Sequence, residues 1–494
     1  VPQLVKKVSI IGAGLGGLSA AIHLASRGFD VSVFEKNDAV GGKAGEFVQD
    51  GFRFDTGPSL LTMPFVFDDL FAAAGKRIRD YLTLERVNPI CRYFFADGTV
   101  FDASSEESQM LQGISRLSPA DVEGYRRFTR YSKTIYDLTS DIFIFRSFSD
   151  FSSLLTWKSL RTLLQIWKID PFRTVHRAVS TYFKDPRLVQ VFDRYATYNG
   201  SNPYQAPATL NIIPHVEYCI GGYYSRGGIY RINASLQAVA EVVGVKFFLN
   251  TPVKRILVSG GRTSGVELEC GDVVSSDAVI SNADAVYTLS ALVDDRRWAR
   301  QLSDVEPSSS GLVLLWGVKA QHPQLAHHNI FFSSNYGKEF DELFVRRIPP
   351  SDPTVYVSVT SKTDPDHAPP GCENWFVLVN MPYLNGAENG VDEQAVRGRV
   401  LEKLREVGID VEGKILFEHV IAPRDFQRRF NAHRGSIYGI SSNDRRAAFL
   451  RPQNRVRNVK GLYLCGGAAH PGGGMPLVII SGKLAAELCA RDLA

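Results

Sequence analysis

The chain has 494 residues, more than one hydrophobic core supports, so two or three structural units are expected, not necessarily consecutive in sequence. Apolar residues make up 44% and charged residues 22%, the proportions of an ordinary globular protein, and a net charge of +4 gives no ground for nucleic-acid binding. The six cysteines never form a C-x-x-C pair, and the ten histidines show no metal-ligand spacing, so no metal site or disulfide framework is expected.

In chain order, Val8–Ile11 is a short apolar run that reads as a strand, followed by Gly12-Ala13-Gly14-Leu15-Gly16-Gly17 and a helix-like stretch to Arg27, with Gly28 as its stop signal. Asp30–Glu35 reads as a second strand, completing a strand–helix–strand unit. Helical spacing dominates from Pro119 to Phe192 and includes an aromatic, apolar section from Ile142 to Ile169 with interleaved Arg and Lys. Strand-like runs return at Val245–Leu249, Val253–Val258, Thr263–Glu269, Ala278–Ser281, Leu312–Val318, Thr354–Thr360 and Trp375–Asn380. His327 and His328 are adjacent and are expected to point apart, and the Pro/Gly-rich stretch 365–371 reads as an exposed loop. The last elements are a buried strand ending at Cys465-Gly466-Gly467 and an amphipathic helix from Leu477 to Leu493. No uncharged apolar stretch approaches the ~20 residues that span a bilayer, and no signal peptide is visible, which predicts a soluble or peripheral cytoplasmic protein.

Gly12, Gly14 and Gly17 form G-x-G-x-x-G directly after a strand and at the start of a helix. That spacing serves a tight turn, close backbone approach to a pyrophosphate, and close helix–strand packing. Unpaired N–H groups at the helix start suit the phosphates. Glu35, at the end of the second strand, is placed to accept hydrogen bonds from the adenosine ribose and disfavours a 2′-phosphate. Lys43, in Val40-Gly41-Gly42-Lys43-Ala44-Gly45, can face the phosphates, and Gly51–Ser59 supplies further glycines for a chain passing beneath an extended cofactor. At the far end, Gly466-Gly467-Ala468-Ala469-His470-Pro471-Gly472-Gly473-Gly474-Met475-Pro476 joins a strand to a helix, and its N–H groups suit a ribityl chain and the electron-rich pyrimidine edge of a flavin.

Taken together, the first glycine motif, the G-G-K-A-G and D-T-G-P-S segments and the C-terminal H-P-G-G-G-M-P turn resemble the flavin amine oxidase/carotenoid desaturase superfamily. Within it the likeness is to bacterial-type phytoene and related carotenoid desaturases. Ser225–Ile229, Ser281–Asp284, Gln324–His328, Pro423–Phe426, Asn431-Ala432 and Gly435-Ser436 extend it over nearly the whole chain. The resemblance implies a discontinuous Rossmann-like α/β domain that binds FAD, built from 1–90, 230–295 and 455–494. It also implies an inserted α+β substrate-binding domain (91–118, 193–229, 296–454) and a helical, membrane-associating region (119–192). The cofactor contacts it implies are Gly12, Ala13, Gly14, Gly16, Gly17, Glu35, Lys36, Gly42, Lys43, Gly57, Pro58, Ser59, Val253, Asn282, Gly466, Gly467, Met475, Pro476 and Leu477.

The implied reaction is desaturation of a long-chain carotenoid, either phytoene-type or a later hydroxycarotenoid 3,4-desaturation, with a membrane surface as the source of substrate and quinone or oxygen as electron acceptor. The cofactor performs the difficult step while the protein supplies orientation and dryness, so the lack of a Ser/His/Asp or paired-carboxylate constellation does not count against it. His470 and Arg226 are the candidate catalytic side chains: the first for orienting or relaying a proton, the second for stabilising developing charge. Tyr195, Tyr198, Tyr204, Tyr218, Tyr223 and Tyr224 are candidates to line a substrate tunnel, and 142–169 to lie on the membrane. Two alternatives keep the fold: a flavin amine oxidase, and a carotenoid isomerase that uses reduced FAD.

Overall fold

A computed structural model describes residues 5–147, 165–386, 392–444 and 451–494. A five-stranded parallel sheet brings together stretches far apart in sequence, in the order Leu462–Leu464, Ala278–Ser281, Lys7–Ile11, Asp30–Phe34, Lys246–Phe248. A parallel sheet must be covered on both faces, and Lys7–Ile11, Ala278–Ser281 and Leu462–Leu464 are accordingly apolar and almost wholly buried, while Lys246–Phe248 is a partly exposed edge. The helix Leu15–Ala25 is buried over nearly its whole length because the C-terminal helix Met475–Leu493 and the helix Tyr230–Val242 both pack on it. The contact with the C-terminal helix is close enough that a Cβ at Gly482 would stand 2.2 Å from the Gly16 carbonyl oxygen, and Ser19 Oγ donates to Ile479 O at 2.7 Å. The two ends of the chain therefore form one core.

A seven-stranded sheet forms the other half, in the order Ile415–Ile421, Ser310–Val318, Glu373–Met381, Val355–Ser358, His328–Phe331, Cys91–Phe94, Val100–Ala103. All neighbours are antiparallel except His328–Phe331 with Cys91–Phe94. Every residue of Ser310–Val318 is buried, as its unbroken apolar run requires of a strand covered on both faces. The helix Glu393–Glu406 packs on one face through Val396, Val400 and Leu404. Against the other lies an aromatic layer, Phe128, Phe192, Tyr195 and Tyr218, from helices in 122–220, facing Tyr93 and Phe332. A three-stranded antiparallel sheet, Val253–Ser259, Arg262–Leu268 and Val273–Ser275, completes the cofactor side.

Two expectations are corrected. The stretch 365–371 is only partly exposed, because His367 and Ala368 turn inward and His367 Nδ1 pairs with Thr360 Oγ1 at 2.9 Å. His327 and His328 do not point apart: His327 precedes the strand, and the two rings lie 4.3 Å apart. Most of the section 142–169 falls outside the described residues; of its ends, Ile142 is buried and Trp167 is exposed. No helix among the described residues is long and apolar enough to cross a membrane.

Candidate functional site

The glycine motifs meet at one side chain. A Cβ at Gly14 would come 2.7 Å from Asn282 Nδ2, one at Gly16 2.5 Å from Asn282 Oδ1, and one at Gly466 2.5 Å from the same oxygen. Asn282 Nδ2 reaches Gly12 O at 3.4 Å, and Asn282 itself follows the strand Ala278–Ser281 directly. One asparagine thus packs where the N-terminal and C-terminal glycine turns converge, and three of those glycines leave no room for a larger residue. Gly17 has a different reason: its Cβ would stand 2.1 Å from Gly12 O, so the tight turn itself excludes a side chain.

The neighbouring segments close on this turn. Gly41 N donates to Ala13 O at 2.8 Å, and a Cβ at Gly42 would lie 3.4 Å from Gly14 Cα. A Cβ at Gly57 would stand 2.0 Å from Lys43 O, so Gly57 packs directly on the Lys43–Ala44 backbone. Glu35 is buried and accepts from Ala13 N (2.8 Å), Asn37 N (2.9 Å) and Asn37 Nδ2 (2.7 Å). Its carboxylate is therefore fixed against the glycine turn. Val253 packs in the same core cluster as Ile11 and Phe34. At the other end Gly474 has φ +101° and starts the helix Met475–Leu493, with Met475 and Pro476 buried and Leu477 packed on the cofactor-side core.

Charge placement fits a phosphate-bearing flavin cofactor. Lys43 makes no ion pair among the described residues: its ammonium donates to Ser436 O (3.3 Å) and Ile437 O (2.6 Å). Burial, only partly offset by the Asp284 charge, lowers it to about 8. An enclosed cation satisfied by carbonyls alone is costly without an anion to meet it. The helix start at Gly14–Leu15 adds N–H groups with no partner inside the helix.

Other expected residues lie elsewhere. Lys36 turns away and donates to Arg428 O (2.9 Å) and Asn431 Oδ1 (3.1 Å), tying the second strand to the end of the helix Pro423–Phe430. Arg226 is at the surface, paired with Glu85 at 2.7 Å and Asp364 at 3.4 Å, so its charge is already neutralised. His470 is inside the C-terminal turn but buried: its Nε2 meets Arg146 O at 2.8 Å, its N–H donates to Pro452 O, and burial lowers it to about 4. It is neutral at pH 7 and holds the turn in shape. Among the tyrosines, Tyr195 and Tyr198 donate to Glu217, which also pairs with Arg194 at 3.1 Å; that set is a buried ionic knot in the aromatic layer.

Sequence reading missed a chain of contacts leaving Ser59. Ser59 Oγ lies 2.5 Å from Tyr356 Oη, which lies 2.8 Å from His328 Nδ1. The Nε2 atoms of both His327 and His328 are buried without a hydrogen bond among the described residues. Burial lowers His327 to about 4 and His328 well below its usual range. Also missed was Arg451, a lone arginine in R-P-x-N, for which no spacing rule exists.

The flavin containing amine oxidoreductase family model matches residues 15–490. The chain is 38% identical to a 4,4′-diapolycopene oxygenase of Methylomonas sp (99% of each chain) and 38% identical to a 1-hydroxycarotenoid 3,4-desaturase of Flavobacterium sp. (98% and 99%). It is 36% identical to a zeta-carotene-forming phytoene desaturase of Myxococcus xanthus (98% and 93%). Among solved structures, an oxidoreductase from Methanosarcina mazei superposes with a TM-score of 0.64 at 18% identity (97% and 100%), and a putrescine oxidase bound to putrescine with 0.61 at 14% (99% and 100%).

Proposed function

Because the chain belongs to the flavin-containing amine oxidoreductase family, we propose that it is an FAD-dependent desaturase that introduces C=C bonds into a long apolar carotenoid. The observation that carries this reading is the convergence of both terminal glycine turns on Asn282; His327 and His328, in the other half of the fold, are held neutral by burial. The 1-hydroxycarotenoid 3,4-desaturase and phytoene desaturase relatives supply the substrate class.

When bound, FAD supplies a two-electron acceptor for hydride from an allylic C–H. The chain supplies the rest. Gly12–Gly17 and Lys43 hold the phosphates; Glu35, Ala13 and Val253 hold the adenosine end; Gly57–Ser59, Gly466–Gly467 and Met475–Leu477 hold the flavin end. Leu60 packs against both the cofactor-side core and the aromatic layer, joining Ser59 to an apolar path. A polyene offers no polar handle, so its path must be dry and uncharged. His327 and His328 meet that requirement, and the charge of Arg194 is cancelled by Glu217. The cofactor domain is assigned to 1–90, 230–295 and 455–494, and the substrate domain to 91–118, 193–229 and 296–454.

The substrate comes from lipid. Trp167 and Phe172 are 65% and 68% exposed beside the exposed Lys168, a pairing that suits a membrane surface contacted by 142–169 within the helical region 119–192. Electrons pass on to quinone or oxygen. The Methylomonas relative favours a second reading, oxygenation of a carotenoid end.

Expression in bacteria that accumulate phytoene, neurosporene or hydroxylated carotenoids, followed by mass spectrometry of the extracts, separates these readings. Desaturation removes two hydrogens per new double bond, oxygenation adds oxygen, and isomerisation leaves the mass unchanged. Carotenoids identical to the control in every host would overturn the proposal.

A further inference from the structure

Arg451 carries a charge that nothing in the described structure neutralises. The residue is 7% exposed, and its guanidinium makes no ion pair among the described residues. Its hydrogen bonds go to carbonyls alone: Nη1 to Gly467 O (2.8 Å) and Tyr438 O (3.2 Å), Nη2 to Ile440 O (2.8 Å). Nε makes no hydrogen bond among the described residues and lies beside Gly472, where an added Cβ would stand 3.5 Å from it.

Elsewhere the fold does not tolerate this. The buried Arg194 has Glu217, and the buried Arg53 has Asp55 at 2.6 Å and Glu46 at 2.6 Å. A buried cation without a carboxylate is costly, because its lost hydration is not repaid. Arg451 also acts where Lys43 does: the two cations hold the carbonyls of Ser436 and Ile437 (Lys43) and of Tyr438 and Ile440 (Arg451) along one strap. The strap is seated on the C-terminal turn, because a Cβ at Gly473 would stand 2.7 Å from the Tyr438 ring. The start of the helix Met475–Leu493 adds positive potential to the same turn.

We propose that Arg451 is the counter-charge for the flavin end of the cofactor and makes the bound flavin easier to reduce. A hydride carries one proton and two electrons. Its transfer leaves the substrate one unit more positive, a charge then lost as a proton to solvent, and the flavin ring one unit more negative. A fixed positive charge at the turn favours that product over the neutral oxidised ring. The proposal rests on FAD occupying the turn and is independent of the carotenoid reading, because its test needs no substrate.

The test is the midpoint potential of the FAD-loaded protein, read by equilibration with reference dyes, in the parent, R451Q and R451K, with FAD content and melting temperature measured alongside. R451Q keeps two N–H donors and loses the charge; it is expected to hold FAD with a potential lower by at least ~30 mV, a tenfold change in the ratio of reduced to oxidised flavin for a two-electron couple. R451K keeps the charge and loses the planar fork, and its potential is expected to stay near the parent's. A parent-like potential in R451Q overturns the proposal. Equal loss of FAD from both variants also overturns it, since the fork and not the charge would then be what the turn needs. If R451Q alone loses FAD, R451K with a parent-like potential supports the proposal, and R451K with a lowered one contradicts it. A parent that stays colourless after reconstitution removes the FAD premise instead.

Discussion

Two regions of the molecule, the aromatic layer and the glycine turns, treat buried charge in opposite ways. In the aromatic layer over the seven-stranded sheet, Arg194 is neutralised by Glu217, and Tyr195 and Tyr198 complete the carboxylate's bonding. Around the glycine turns, Lys43 and Arg451 have only backbone carbonyls as partners among the described residues. A charge that is cancelled internally serves the fold and leaves its surroundings fit for a hydrocarbon. On our proposal, a charge left uncancelled is held for an anion, the FAD that the turns are shaped to receive.

The sharpest break in that comparison is Glu217→Gln. It leaves Arg194 buried and unpaired, so urea unfolding is expected to show a loss of about 3–5 kcal/mol. Residual folded protein should bind FAD normally; a loss below ~1 kcal/mol would mean that the knot is not structural.

Next in size is Gly482→Ala, whose new Cβ would stand 2.2 Å from Gly16 O and push the C-terminal helix off the first one. Overpacking of this kind costs about 1–3 kcal/mol and here also spreads the cofactor cradle, so melting temperature and FAD content should fall together. A stable variant that binds FAD fully would show that the two ends need not meet so closely.

A smaller effect comes from Lys43. In the free protein burial lowers it to about 8, whereas cofactor phosphates favour its charged form. Below pH 8 the free protein already carries the proton, and affinity for FAD should be flat. Above it, affinity should fall by up to about tenfold per pH unit until the pKa of the complex is reached. Titration of FAD fluorescence against pH reads this directly, and Lys43→Met should abolish the slope. An equal slope in that variant would assign the proton elsewhere.

The smallest effect expected is at His470. Burial lowers it to about 4, so it stays neutral from pH 5 to 8. His470→Asn should leave the shape of the pH–rate profile between those limits unchanged. A lost inflection there would restore a proton-relay role.

The cofactor half was the more legible in the sequence, for a physical reason. Gly14, Gly16, Gly17 and Gly466 are each demanded by a close contact and Gly12 by its φ of +92°, and such demands leave a fixed residue type at a fixed spacing. Family resemblance supplied Asn282, but its place at the junction of the turns emerges only when the strand Ala278–Ser281 pairs with Lys7–Ile11. Lys36 and Arg226 sit next to motif residues in sequence and face elsewhere, because adjacency along a strand or turn does not set side-chain direction. Arg451 and Tyr356 left no local signal; Ser59 and His328 lie in family-like segments, but their meeting through Tyr356 was not legible, since these partners lie on segments with no sequence spacing in common.

If the chain ends grip a flavin that oxidises an apolar polyene, the flavin should bleach as the polyene lengthens. Purified protein reconstituted with FAD should be mixed without oxygen with liposomes carrying a hydroxylated carotenoid or phytoene, and the visible spectrum followed. The account predicts that the oxidised-flavin absorbance bleaches as a longer polyene chromophore appears, in proportion to one double bond per flavin. A yellow protein whose flavin stays oxidised with every such carotenoid would contradict it.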